Sequence, residues 1–310
     1  MLGVMQVPSG AVRRKPFFTM QLNAYILAAD PTWLERSVQA YYPFVQRIVV
    51  SFDNQGRGWT GLPIPVEECL QRLRRIDAEA KMVFCGGCFS GSVSDPMQND
   101  TAQRNAALEL ASAGADWILQ VDTDEWLPHP EALLRVLKRA DALGLRGVEW
   151  PMRVLYRKLP HDKVLEVCAA DGGDHFEYIA PIAVRSGTRL QHSRRTGEAF
   201  LRPVVNGDRR SMQLLRSPAL GEIREELISS EEAIVHNSWA RSPWEVARKL
   251  MTWSHSGWKV WVHYAVRWLP AAFLWPSQRN VHPLFGPVWP ALRVCSQPIV
   301  QTMPEPVPGT

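Results

Sequence analysis

The chain has 310 residues, 46% of them hydrophobic, and a formal net charge of +4 at pH 7. That is enough apolar material for one large domain or a domain with an extension, and the mild, dispersed positive charge excludes a nucleic-acid-binding surface. Five cysteines, an odd number in a long chain, argue against a disulfide framework and for a reducing compartment.

Met1 to Pro16 carries Arg13-Arg14-Lys15 with no apolar run behind it, and reads as a frayed leader rather than a secretory signal. Phe17 to Ala28 reads as a first strand, after which Asp30-Pro31 opens a short helix with Trp33, Leu34, Val38 and Tyr41 as apolar positions and Pro43 as its limit. Arg47 to Phe52 is a second strand, ending in Asp53 and a loop with Gly56, Gly58 and Gly61. Val66 to Ile76 reads as a surface helix and Lys81 to Cys85 as a third strand. Cys85-Gly86-Gly87-Cys88 has CxxC spacing, but no second Cys or His pair answers it, so these read as thiols at a strand end. Asp100 or Thr101 is placed to cap a helix through Ala102, Ala106, Leu108 and Leu110, stopped by Gly114.

Trp117-Ile118-Leu119-Gln120-Val121 then reads as a buried parallel strand running into Asp122-Thr123-Asp124-Glu125. Three carboxylates in four residues repel one another and resist desolvation, so a compensating cation is expected among them, a metal ion being the simplest. Asp122 and Asp124 are two apart and, in extended geometry, point to the same side, where both could reach one ion. Pro130 starts a helix through Leu133, Leu134, Val136, Leu137 and Ala140 to Gly144, and a fifth strand spans Gly147 to Leu155. Strands alternating with helices predict a mostly parallel, doubly wound sheet, whose ligands bind beyond the carboxyl ends of the strands, where Asp53 and Asp122 to Glu125 converge.

Residues 156–230 are less regular, with short strand-like pieces at Tyr178 to Val184 and Phe200 to Val205. Arg185, Arg189, Arg194, Arg195, Arg202, Arg209 and Arg210 are scattered through this half and read mostly as solvated charge, with recognition of an anionic acceptor as the alternative. Ser242-Pro243-Trp244-Glu245 satisfies a capping box for a helix to about His255. Eight of the thirteen tryptophans follow residue 238. Trp258, Trp261, Val262, Ala265, Trp268 and Leu269 are predicted on one helical face, which either packs on its own domain or a partner copy, or lies on a membrane surface. No stretch has the ~20 apolar residues that a membrane-spanning helix needs.

The acid after the second strand, Gln103-Arg104-Asn105 before the fourth, Asp122-Thr123-Asp124 at its end and the distant His236-Asn237-Ser238-Trp239 resemble the GT-A fold of family 2 glycosyltransferases over residues 19–255. The resemblance implies an α/β, Rossmann-like, mostly parallel sheet at 17–255, between the flexible 1–16 and a Trp/Pro-rich extension at 256–310. It implies transfer of a sugar from a nucleotide-diphosphate donor, a UDP-sugar by preference, with inversion, to a glycan, lipid-linked or small-molecule acceptor. In that reading Asp53 accepts from the base, Arg104 contacts the phosphates or braces Asp122, and Asp122 touches the ribose or the metal. Asp124 holds the metal with His236 as a late ligand, and an imidazole favours Mn²⁺ over Mg²⁺. Glu125 either assists or is a solvated loop residue. The family's usual Glu-Asp pair is absent, so Asp174 and Glu177, in the one acid-rich turn of the acceptor half, are the candidate bases. A cytoplasmic protein, in part peripheral at the inner membrane face, is expected.

Two other functions compete. A nucleotidyltransferase would carry a Gly-rich basic loop after the first strand, where this chain has Ala28-Ala29-Asp30-Pro31, and a glycosidase would need its two acids in opposed roles. A carbohydrate- or nucleotide-binding relative without turnover would retain the crevice and lack the base.

Overall fold

The computed structural model describes residues 20–91 and 95–295, so the expected leader at 1–16, the start of the first predicted strand and the last fifteen residues of the extension lie outside the described residues. The chain opens with β1 (Leu22–Leu27), α1 (Leu34–Tyr41), β2 (Arg47–Asp53), α2 (Val66–Ile76) and β3 (Met82–Gly87). Every residue of β1 is buried. Ala24 and Ile26 point to one face, against Val38 and Tyr41 of α1 and Leu70 and Leu73 of α2. Tyr25 and Leu27 point to the other. The strand is apolar throughout because both faces are covered.

The next helix, α3 (Pro96–Ala111), starts earlier than the predicted cap at Asp100 or Thr101. Asp95 is the cap, its side chain accepting from the Met97 amide, with Pro96 in the first turn, and Asp100 lies inside the helix as a buried acid. Ala107, Leu108 and Ala111 of α3 pack with Tyr25, Leu27 and Val49. The acidic-ended strand is shorter than expected: β4 (Trp117–Leu119) stops before Gln120, and the chain turns into a separate two-residue strand, β5 (Glu125–Trp126). After α4 (Pro130–Ala142), the single strand expected from Gly147 to Leu155 is two, β6 (Gly147–Glu149) and β7 (Met152–Lys158), in different sheets. Pro151 lies between them, where a residue without an amide donor ends one ladder before the next begins.

The rest of the chain adds β8 (Val164–Cys168), β9 (Pro181–Arg185), β10 (Phe200–Val205), the short α5 (Met212–Leu215), β11 (Glu222–Ile228), β12 (Ile234–His236), α6 (Pro243–Thr252), α7 (Trp258–His263), α8 (Ala271–Leu274) and β13 (Ala291–Val294). The larger sheet has eight strands in the order β11-β10-β6-β9-β4-β1-β2-β3, all parallel except β9, which runs against both β4 and β6. This is the α/β architecture with a mostly parallel sheet flanked by helices. A five-stranded sheet, β13-β8-β7-β12-β5, stands beside it.

Residues 256–295, set apart by composition, are woven into the second sheet: β13 pairs with β8, and Val260, Trp268, Val281 and Trp289 join Tyr156, Trp239 and Leu250 in one cluster. The face predicted from Trp258 to Leu269 is out of phase with what is buried. Trp268 is inside, but Trp258, Val262 and Ala265 are exposed while Val260 and His263 are buried. A π-helical turn over Tyr264–Trp268, closed by the Leu269 amide donating to the Tyr264 carbonyl, shifts the phase again after α7, while the mismatch at Trp258 to His263 lies before it. Among the described residues no helix is long and apolar enough to cross a membrane.

Candidate active site

A cavity of about 370 Å³ opens over the carboxyl ends of β1, β2 and β4. Its floor is Asp122 to Glu125, one wall is the loop holding Asp53, Arg57 and Trp59, and the other is the 192–195 loop with one side of α6. Volume and position suit a small-molecule ligand at the switch edge of an α/β sheet.

Each acid on the floor faces a cation of the chain. Arg104, buried in α3, donates from Nε to Asp100 at 2.6 Å and from both Nη atoms to Asp122 at 2.9 and 3.2 Å. Its role is therefore to brace Asp122. Burial opposes ionisation of Asp122, but Arg104 and Arg194 outweigh it and hold the carboxyl below the usual range. Glu125 is fully buried and receives both Nη groups of Arg194, at 2.7 and 2.6 Å, while its Oε2 accepts from the Asp122 amide at 3.0 Å. It is not the solvated loop residue that was one of the two expectations, but half of an internal ion pair that folds the acidic turn.

Asp124 gathers the most partners. Its Oδ2 accepts from Arg241 Nη2 and Lys249 Nζ, both at 2.8 Å. Burial raises its pKa, yet Lys249 and Arg241 more than reverse this and keep it ionised far below the usual range. The capping box at Ser242 is complete, and it sets α6 so that Lys249 points at the floor. Arg241 also pairs with Asp30, tying the loop after β1 to the loop after β12. Sequence reasoning missed this set; Arg194 in particular was read as solvated, but it is buried, as is Arg202 between Glu149 and Glu222. The available signal was numerical: three clustered acids call for as many cations, and arginine or lysine can supply them as well as a metal.

His236 ends β12, which pairs antiparallel with β5, so the ladder that sets His236 opposite Glu125 also delivers it to Asp124. His236 Nε2 lies 3.8 Å from Asp124 Oδ1. Burial lowers its pKa despite the two nearby carboxylates, leaving a neutral imidazole, and its Nδ1 has no hydrogen-bond partner. Among the described residues no group of three or more His, Cys, Asp or Glu is placed to hold a metal ion. The donor set nevertheless fits a cation in part: Asp124 Oδ1, free of the hydrogen bonds that occupy Oδ2, and the neutral His236 nitrogen are a carboxylate–imidazole pair of the kind a Mn²⁺ accepts. Asp122 adds no ligand in this arrangement, since both of its oxygens face Arg104.

Asp53 reaches the crevice, but its oxygens are held by the amides of Phe89, Gln55 and Arg57 at 2.8, 2.9 and 3.3 Å. Burial would raise its pKa; these amides lower it instead. Asn105 clamps Leu190 by hydrogen bonds to its amide and carbonyl, and Gln103 accepts from Trp59 Nε1 at 2.7 Å. The two acids taken as candidate bases are not among the lining residues. Asp174 is exposed and paired with Arg293 at 2.6 Å. Glu177 is buried, its acid pushed up to about 7 by burial, and accepts from Trp289 Nε1 at 3.0 Å. The imidazoles of His192 and His255 do line the crevice, with ring centroids 6.1 Å apart.

No family model and no curated protein matches the chain. Among solved structures it is similar to 4-diphosphocytidyl-2C-methyl-D-erythritol synthase from Anaerococcus prevotii (12% identity, TM-score 0.30), with 54% of this chain and 70% of that one covered. Mannose-6-phosphate isomerase from Helicobacter pylori is a second such structure (12% identity, TM-score 0.29), with 47% and 58% covered.

Proposed function

We propose that the chain is a GT-A glycosyltransferase drawing its sugar from a nucleoside-diphosphate donor, with a UDP-sugar the expected one. The observation that carries the reading is the charge arrangement of the crevice. Its floor acids are compensated internally, and Arg57, Arg195 and Arg248 of its lining make no ion pair with a carboxylate among the described residues. Uncommitted guanidinium groups over a neutralised floor suit a dianionic diphosphate, which they can grip through two nitrogens each.

In this reading Arg57, Arg195 and Arg248 receive the diphosphate, and Trp59 offers an aromatic wall for the base. Arg241 and Lys249 hold the Asp124 carboxylate ionised and aimed at the crevice. Asp124 and His236 would hold Mn²⁺, or less readily Mg²⁺, and the ion would supply Lewis-acid neutralisation of the leaving diphosphate. With only two protein ligands and two cations on the same carboxylate, the site favours an ion arriving with the donor. The acceptor proton falls to a group inside the crevice. His255, whose pKa burial lowers, is a neutral imidazole able to take it at neutral pH.

The test is thermal denaturation with UDP, a panel of nucleoside-diphosphate sugars, and each of these with Mn²⁺. A ligand at a hundred times its dissociation constant stabilises the folded state by about 2.7 kcal/mol. We expect a clear upward shift with a uridine nucleotide, larger with Mn²⁺ present. No shift with any nucleoside diphosphate, with or without the ion, would remove the reading.

A further inference from the structure

The outward surface of the C-terminal segment has no part in the crevice chemistry, yet it is not an ordinary surface. Among the described residues, nine of the sixteen exposed large hydrophobic side chains lie between Trp244 and Phe285. Trp258, Val262 and Val266 recur every four residues along α7 and the turn that follows it, while Val260, His263 and Trp268 between them face the core. Phe273, 87% exposed, and Leu274 extend the apolar surface on α8. Isolated exposed side chains need no explanation; a row of them does.

The charge of the same segment is one-sided. From Val246 to Cys295 there are six lysines and arginines and no aspartate or glutamate. Lys249 and Arg293 are committed to Asp124, Glu166 and Asp174, and Lys259, Arg267 and Arg279 are exposed. We infer that this face docks on an anionic lipid bilayer, with Trp258, Val262, Val266 and Phe273 at the boundary between headgroups and acyl chains and Lys259, Arg267 and Arg279 on anionic headgroups. The absence of acids selects lipid over a second copy of the chain: a self-contact through this face would bring two basic surfaces together with nothing to neutralise them, whereas anionic headgroups do so. Phe285 belongs to the same segment and lines the crevice. A chain held at such a surface would meet acceptor hydroxyls carried by lipids; that consequence, unlike the docking, rests on the glycosyltransferase reading.

The experiment is flotation of the full chain with vesicles of phosphatidylcholine alone or mixed with phosphatidylglycerol, at low and high salt. We expect capture by the anionic vesicles, little by the neutral ones, and weakening as salt screens the attraction. Val262→Ser and Val266→Ser each lower partitioning about tenfold, and Lys259→Ala and Arg267→Ala each about fivefold. Leu220→Ser, an exposed apolar residue between β10 and β11, leaves it unchanged. All these side chains are exposed, so folding is not at stake, and circular dichroism checks it. No capture, or capture that the Val262 and Val266 changes do not reduce, overturns the inference. So does a dimer in light scattering that Val266→Ser dissolves, which would assign the face to a second copy. Donor binding is read separately by thermal denaturation, so either result can fail without the other.

Discussion

The crevice floor and the aromatic cluster behind it are both buried, and they are held by opposite means. On the floor, Asp122, Asp124 and Glu125 are matched to Arg104, Arg241, Lys249 and Arg194 through directed, charged contacts. In the cluster, Tyr156, Trp239, Trp268 and Trp289 pack by ring edges, as in the Tyr156–Trp289 pair at 6.0 Å and 88°. A charged floor is costly to desolvate and unforgiving when one partner is lost, since the remaining charge is buried alone. An apolar cluster loses stability in proportion to what is removed. The difference fits their uses: a binding floor needs fixed charge, and a scaffold needs only filled volume.

Single substitutions in each region test this contrast. On the glycosyltransferase reading proposed above, the largest effect is on turnover: Asp124→Asn keeps the shape but removes the charge, and should lower transfer about 10²–10³-fold, measured with the donor found by thermal denaturation. If instead turnover is kept, Asp124 is structural. Next, Glu125→Ala strands Arg194 and should cost about 3–5 kcal/mol in chemical denaturation. In the cluster, Leu250→Ala should cost about 2–5 kcal/mol by cavity formation while leaving donor affinity unchanged. A fall in donor affinity on Leu250→Ala would mean that the two regions are not separable.

Glu177 sharpens the comparison through pH. Its acid is raised from 4.5 to about 7 by burial, so it favours folding below about 4.5, and that contribution fades as pH rises towards 7 and above. Glu177→Gln mimics the protonated form. The variant should gain stability relative to the parent as pH is raised from 5 to 8, about the window set by that shift, in parallel urea denaturations. A difference that is flat with pH would show that Glu177 titrates normally. The smallest expected effect is at the cap of α6, where Ser242→Ala should cost about 1 kcal/mol. It should also loosen Lys249, so donor affinity should fall with stability.

Much of the first half of the fold was legible. The helix Val66–Ile76 follows directly from its apolar spacing, the alternation of strands and helices foretold the parallel sheet, and Ser242 marked the start of α6. The start of α3 did have a local signal, a capping Asp95 followed by Pro96 in the first turn, and it was passed over for Asp100 or Thr101. The other misses have physical causes. One apolar run, Gly147 to Leu155, was divided because each half pairs with a different sheet, which no local pattern records. Arg104, 18 residues from Asp122, was read as a possible brace, but the partners of Asp124 and Glu125 lie 69, 117 and 125 residues away, and contacts at such separations leave no periodicity to read. Asp122 and Asp124 were legible as a site because their problem, crowded charge, is local; its solution is not.

One consequence follows from Arg241, whose guanidinium joins Asp30 and Asp124 across most of the chain. Within the sheet-forming first half only Arg104 offsets the floor acids, and it reaches Asp122 but not Asp124 or Glu125. A fragment ending near residue 190 would keep β1 to β4 and all three floor acids but lack Arg194, Arg241 and Lys249, so its crevice would repel itself open. The crevice floor is complete only when α6 and the loop before it are in place, because Arg241 and Lys249 both come from there.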